Sequence, residues 1–195
     1  MSAIKVTLVT LLAGGISIGA AIYGQRWLGE TRLHALSPSR GSERADTLPD
    51  FSLPDLDGRD ISSAKWAGRV LVINYWASWC PPCISEMPTL IRAQQAHDPG
   101  QLQVVGIAID TPDAVEHFLI DHPVNYPILI GNADSIDMSR RLGNRMHGIP
   151  FTVIFDRHGR RIFSQVGEVT AATLQTQLAA LLPPPKPAET VVNGG

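Results

Sequence analysis

The sequence predicts an α/β domain built on a mixed β-sheet, and three features predict it. Apolar, β-branched runs alternate with segments of helical periodicity. A hairpin pattern followed by one more helix closes the series, which makes the sheet mixed rather than purely parallel. The most apolar run, Val70–Trp76 (VLVINYW), leads directly into a Cys-x-x-Cys segment with the composition of a helix start.

The elements follow in order. Phe51–Ile61 (FSLPDLDGRDI) has short apolar runs around Asp57-Gly58, a hairpin turn signal. Ser62 and Ser63 are capping residues for a short helix ending at Gly68. Val70–Trp76 reads as a buried central strand. After Cys83, Ile84, Met87, Leu90 and Ile91 recur at helical spacing. Val104–Asp110 is a second buried strand, Pro112–His122 a helix with Val115, Phe118 and Leu119 on one face, and Tyr126–Ile130 a third strand. Ser135–Leu142 is a short helix closed near Gly143. Phe151–Asp156 and Arg161–Val166 flank the turn RHGR as a hairpin. Thr170 opens a last helix with Leu174, Leu178, Leu181 and Leu182 inward, stopped by Pro183.

Outside this domain, taken as residues 48–182, the chain changes character. Val6–Tyr23 carries no charge and follows Lys5, and its roughly 18 residues are near the minimum for a membrane-spanning helix. Residues 1–24 therefore read as an uncleaved anchor or, alternatively, a cleaved signal. Arg26, Arg32, Arg40 and Arg44 follow it, so flanking charge alone does not place the domain outside the cytoplasm. Residues 25–47 are polar, lack periodicity and read as a flexible linker. Residues 183–195, PPPKPAETVVNGG, read as a disordered tail.

Composition removes several function classes. A net charge of −2 with scattered Lys and Arg gives no nucleic-acid footprint. The 2 cysteines cannot build a disulfide scaffold. They do form Cys80-Pro-Pro-Cys83, which has three readings. A metal clip needs about four ligands, and no second cysteine pair or suitable histidine pair is present. A staple closing so short a loop stabilises little. A dithiol–disulfide redox centre is the reading that fits a CxxC between strand and helix.

Position gives the mechanism. Cys80 falls at a helix N-cap, where unpaired N–H groups and positive potential lower a thiol's pKa. Cys80 is the nucleophile toward a partner disulfide, and Cys83, about one turn inward, resolves the mixed disulfide. Pro81 and Pro82 occupy first-turn positions whose N–H groups lack intrahelical partners anyway. A proline disfavours α geometry in the residue before it, so the regular helix is expected to begin at Pro82.

These residues resemble a known group. WASWCPPC, Pro88 five residues beyond Cys83, and Gly148-Ile149-Pro150 before a hairpin are similar to the thioredoxin superfamily. The match narrows to membrane-tethered TlpA/ResA-like thioredoxins, related to the reductases of cytochrome c maturation. PDFSLPDLDGRDI resembles their N-terminal hairpin, and Asp110–Ile130 fits the αβ unit they insert into the basic fold. The resemblance spans about Leu48–Leu182 and implies a thioredoxin fold: a central mixed β-sheet flanked by helices, with an N-terminal hairpin and a central αβ insertion.

It also implies roles. Pro150 matches the cis-proline that faces the dithiol, although an opening strand residue is the alternative from sequence alone. The backbone of Ile149 would pair with the partner chain like an added strand. Trp79, Pro81 and Pro82 complete the expected partner contacts, while Trp76 reads equally well as core. Glu86 matches an acidic residue beside the dithiol and is the candidate proton acceptor for Cys83; its alternative is a surface acid favoured by the helix dipole. Ordinary thioredoxins carry a buried Asp where this chain has Asn74, whose amide serves only to satisfy buried hydrogen bonds. Phe151 stands where Thr is common, either enlarging an apolar docking face or packing inside the strand.

The implied function is an extracytoplasmic thiol-disulfide oxidoreductase on the bacterial inner membrane, its domain in the periplasm. It would reduce disulfide-bearing proteins, apocytochrome c or copper-site assembly proteins, with no cofactor and recharged by a transmembrane electron donor. A copper-binding assembly module, with Met146 and His147 joining the thiols, and a disulfide-oxidising folding factor are the alternatives.

Both prolines favour the closed disulfide, by removing thiolate donors near Cys80 and by fixing two φ angles in advance. Replacing Pro81 and Pro82 together by Gly is expected to make the reduction potential less negative by about 20–40 mV, taking ~0.4–1 kcal/mol per proline and ~30 mV per 1.4 kcal/mol. Equilibration with a glutathione buffer measures it, and a more negative variant overturns the argument.

Overall fold

The computed structural model describes residues 45–184. The hairpin signal becomes β1 (Ser52–Pro54) and β2 (Asp60–Ser62), followed by a 3₁₀ turn at Ser63–Trp66. Then come β3 (Val70–Trp76), α1 (Pro81–Ala96), β4 (Leu102–Ala108), α2 (Pro112–Asp121) and β5 (Ile128–Ile130). The series closes with α3 (Ala133–Arg141), β6 (Phe151–Phe155), β7 (Arg161–Val166) and α4 (Ala171–Ala179).

Five strands form one sheet in the order β5-β4-β3-β6-β7. Pairing is parallel among β3, β4 and β5, and antiparallel from β3 through β6 to β7. The expected mixed sheet is therefore present, and α2 with edge strand β5 is the expected central insertion. Alternate residues of β3 serve opposite faces, as strand geometry requires. Val70, Val72 and Trp76 pack with Cys83, Met87 and Leu90 of α1, Val115 of α2 and Leu174 of α4. Leu71, Ile73 and Tyr75 pack with Leu53, Trp66, and Met138 and Leu142 around α3. All seven β3 residues are buried, which explains why the run is apolar on both faces rather than alternating, with Asn74 as its one polar exception.

The helix ends carry the expected chemistry. Thr111 Oγ1 accepts from the Ala114 N–H and Thr170 Oγ1 from the Thr173 N–H. Asn132 and Ser135 cap each other reciprocally at α3, which moves that helix start ahead of Ser135.

Several boundaries differ from the sequence reading: α3 begins at Ala133 rather than Ser135, β4 spans Leu102–Ala108 rather than Val104–Asp110, β5 begins at Ile128 rather than Tyr126, and α4 ends at Ala179, short of Leu182. α1 begins at Pro81, not Pro82. Cys80 is extended (φ −102°, ψ 100°), as a residue before proline prefers, and the first helical bond runs from the Ile84 N–H to the Cys80 carbonyl at 3.2 Å. Residues Ala45–Thr47, assigned to the linker, lie on the domain. The Ala45 N–H donates to the Arg141 carbonyl at the end of α3, which has no intrahelical partner there, and Arg161 Nη2 donates to Asp46 Oδ1 at 2.7 Å. Thr47 bridges to Arg160, at the β6–β7 turn and so at the end of the sheet opposite Cys80. The proposed anchor Val6–Tyr23, most of the linker and the tail beyond Pro184 lie outside the described residues. Among the described residues no helix is long and apolar enough to cross a membrane.

Gly106, in the middle of β4, marks a close approach. A Cβ there would lie 2.6 Å from Ile128 Cδ1 and 3.0 Å from Trp76 Nε1. Ile128 can rotate away, but the Trp76 ring is fully buried and held against Phe118, with centroids 5.4 Å apart. Gly106→Ala is expected to lower stability by about 1–3 kcal/mol, read as a shifted urea midpoint with an unchanged slope.

Candidate active site

β3 ends at Trp76, and the chain crosses Ala77–Trp79 to Cys80 at the N-cap of α1. The loop is held from the neighbouring strand: the Ser78 Oγ and N–H donate to Asp110 Oδ2 at 2.6 and 3.1 Å. Cys80 and Cys83 form a disulfide. Cys80 is 4% exposed and Cys83 fully buried, so Cys80 is the sulfur with a face toward solvent. Because Pro81 and Pro82 fill the first two helical positions, only Cys83 among the first three offers an N–H toward Cys80.

Glu86 is one turn beyond Cys83 on the same helix face. It is 1% exposed, which removes the surface-acid alternative. Asn74 Nδ2 donates to Glu86 Oε1 at 2.6 Å and to Thr152 Oγ1 at 3.0 Å. The Val169 N–H donates to Glu86 Oε2 at 2.7 Å. Burial pushes the Glu86 carboxyl up to about 7; the Val169 N–H and the Asn74 amide oppose that rise, and the nearby Glu168 charge adds to it. A group near neutrality both accepts and returns a proton at working pH, as proton exchange with a thiol requires.

The register places the opposite wall. Tyr75 pairs with Phe151, so Pro150 lies level with Trp76, where the loop to Cys80 departs. The Ile149–Pro150 bond is cis. The Ile149 side chain packs against both core clusters, and its backbone carries no hydrogen bond among the described residues. Trp79 is 66% exposed beside Cys80. Trp76 is core. Phe151 packs against Tyr75, with centroids 5.7 Å apart, which removes the docking alternative for its ring.

The predicted residues thus fall on two neighbouring segments, the β3–α1 junction and the start of β6. Asn74 was legible as a buried polar residue, but not as the donor to Glu86. Thr152, Val169, Ser78 and Asp110 were missed. A threonine in an apolar strand and an aspartate closing one are the only sequence signals they carry. Among the described residues, no three His, Cys, Asp or Glu side chains converge to hold a metal ion.

The Redoxin family model matches residues 43–180. The chain belongs to the Redoxin family. It is similar to the thiol-disulfide oxidoreductase ResA of Geobacillus thermodenitrificans (strain NG80-2), 26% identical over 70% of this chain and 77% of the relative. The thioredoxin-like protein YneN of Bacillus subtilis (strain 168) is 30% identical over 71% of this chain and 80% of its own. Among solved structures, a thioredoxin-related protein from Neisseria meningitidis serogroup B matches at 33% identity and TM-score 0.60, over 66% of this chain and 97% of that one. A thiol:disulfide interchange protein from Chlorobium tepidum TLS matches at 26% identity and TM-score 0.62, over 72% and 98%. This redoxin has the thioredoxin-like fold and is a thiol-disulfide oxidoreductase of the ResA kind, with a Cys80–Cys83 disulfide.

The raised Glu86 pKa has a stability consequence. Between the ordinary value of 4.5 and about 7, the unfolded chain has released this proton and the folded chain has not. Stability of the oxidised protein is therefore expected to fall as pH rises through that window and to level off above it. Denaturant midpoints across the window check this, with Glu86→Gln losing the slope.

Proposed function

We propose that this redoxin is an extracytoplasmic disulfide reductase, tethered to the bacterial inner membrane by Val6–Tyr23 and acting on disulfides of partner proteins. The observation that carries the reading is the buried Glu86 carboxyl one turn from Cys83, poised near neutrality by burial against two donors. That arrangement serves the resolving thiol, whose proton must leave before it can attack.

The reduced dithiol starts the cycle. The Cys80 thiolate attacks one sulfur of a partner disulfide; a Cys80–partner bond forms, the partner bond breaks, and the released thiolate takes up a proton. Cys83 gives its proton to Glu86 and attacks the Cys80 sulfur. The Cys80–Cys83 bond forms and the second partner thiolate leaves, protonated in turn. Two electrons pass from the dithiol to the partner, and a transmembrane donor returns them. Trp79, Pro81 and Pro82 border the attacked bond, and the backbone of Ile149 before Pro150 receives the partner chain as an added strand. The free backbone of Ile149 supports that last role. The relatives named above support the partner class, for which apocytochrome c thiols and copper-site assembly proteins are the candidates.

Cys83→Ser in the full chain is expected to accumulate mixed disulfides with extracytoplasmic proteins at Cys80, and Cys80→Ser none. Parent protein isolated with rapid alkylation is expected to be mainly reduced. A mainly oxidised parent overturns the reducing direction in favour of an oxidising folding factor. Stoichiometric copper binding without disulfide exchange favours the assembly module instead.

A further inference from the structure

The segment before Ile149 contains a device that the thiol chemistry does not use. Asn144 is 3% exposed, and its side-chain amide meets both backbone polar groups of one residue. Asn144 Nδ2 donates to the Gly148 carbonyl at 2.9 Å, and the Gly148 N–H donates to Asn144 Oδ1 at 3.0 Å. Both polar groups of Gly148 are thereby fixed by a single planar amide. Asn144 is itself tied back to α3, with its N–H donating to the Ser139 carbonyl at 2.9 Å and Nδ2 reaching Ser139 Oγ at 3.4 Å. The three residues between, Arg145–His147, are exposed, with Met146 at 81% and His147 in the left-handed region at φ 53°. The excursion is solvated and its base is pinned.

Gly148 leaves no slack at this base. A Cβ there would lie 2.7 Å from Val166 Cγ1, so its backbone lies close against β7. The next residue, Ile149, sinks its side chain between the two cores and leaves its backbone unpaired among the described residues. On the other side, the Gly167 N–H donates to the Pro150 carbonyl at 2.8 Å. Gly148 and Pro150 are thus both held, and the free peptide edge between them is presented at a fixed place.

We propose that Asn144 is a positioning residue for partner binding: its amide holds Gly148 so that the Ile149 backbone stands ready to pair with an extended segment of a disulfide-bearing protein. This rests on the added-strand reading of Ile149. Losing the amide removes two hydrogen bonds that order the edge before binding, so the ordering entropy falls on the binding step. The thiols are not touched, and their potential and intrinsic reactivity stay unchanged.

The test uses the reduced full chain and two electron acceptors: an extended peptide carrying one cysteine as its thionitrobenzoate disulfide, and the small disulfide of Ellman's reagent. Asn144→Ala is expected to raise KM for the peptide about tenfold while kcat, the reduction potential and the rate with the small disulfide stay within about twofold. Asn144→Asp keeps an acceptor for the Gly148 N–H but sets a second acceptor against the Gly148 carbonyl, and is expected to raise the peptide KM at least as much as Ala. An unchanged peptide KM in Asn144→Ala, or equal losses with both acceptors, overturns the proposal. Amide exchange separates it from the reading beneath it. In a Cys83→Ser parent that keeps Asn144, the Ile149 N–H is expected to gain protection when the peptide is trapped on Cys80. No gain in the parent means that Ile149 is not the docking edge; a gain in the parent with an unaffected Asn144→Ala means that only the positioning role fails.

Discussion

A carboxyl group excluded from water must find donors or keep its proton, and at Glu86 this constraint ties the domain together. The side chain hangs from α1, yet its partners come from β3 through Asn74 and from the β7–α4 loop through Val169. Asn74 spends its other N–H on Thr152 of β6. One carboxylate therefore joins the helix that carries the dithiol to two central strands and the loop behind them. Leaving such a group unsatisfied costs several kcal/mol, so each of these segments is constrained by the others. The proton balance of the same group lies near neutrality because the donors offset burial only in part. Structural tie and acid–base function are two results of one arrangement.

The sheet supplies the second constraint. β3 is paired on both sides, parallel to β4 and antiparallel to β6. Parallel pairing brings Asp110, just past the end of β4, level with the loop after β3, where it holds Ser78. Antiparallel pairing brings the start of β6, and with it Pro150, to the same end. The dithiol thus lies where three strand ends meet, beyond the carboxyl ends of the parallel strands, the usual place for sites in such sheets. The chain enters the domain at the other end, where Thr47 meets Arg160. Among the described residues the Trp79 side chain stands exposed beside Cys80.

Most of the architecture was legible in the sequence because it is written in short-range chemistry. Strand identity followed from apolar runs, helix starts from Ser62 and Thr170, and the hairpin turn from Asp57-Gly58. Two of the boundary differences have identifiable physical causes, one local and one long-range. Pro81 accepts helical geometry despite the proline after it, because Cys80 already takes the extended conformation and its carbonyl is the first acceptor. Ala45–Thr47 look like linker by composition and are held by backbone bonds and by Arg161, neither of which composition records.

Local sequence was enough to locate the redox pair: two cysteines three residues apart at a helix start, with Cys80 outward, Cys83 inward and two prolines between them. Spacing on one helix is enough for that, since capping and periodicity act over a turn or two. The burial of Glu86, the donors that hold it and the backbone edge left unpaired among the described residues came from the packed fold. The partners of Glu86 lie far away in sequence, 83 residues on for Val169, and Thr152 is 78 residues beyond Asn74. No local pattern encodes such pairings, because they depend on strand register and on what the packed sheet excludes from water. Asn144 was hidden for a different reason: it is an ordinary loop residue by type, and its contact with Gly148, four residues on, forms only when the turn after α3 closes.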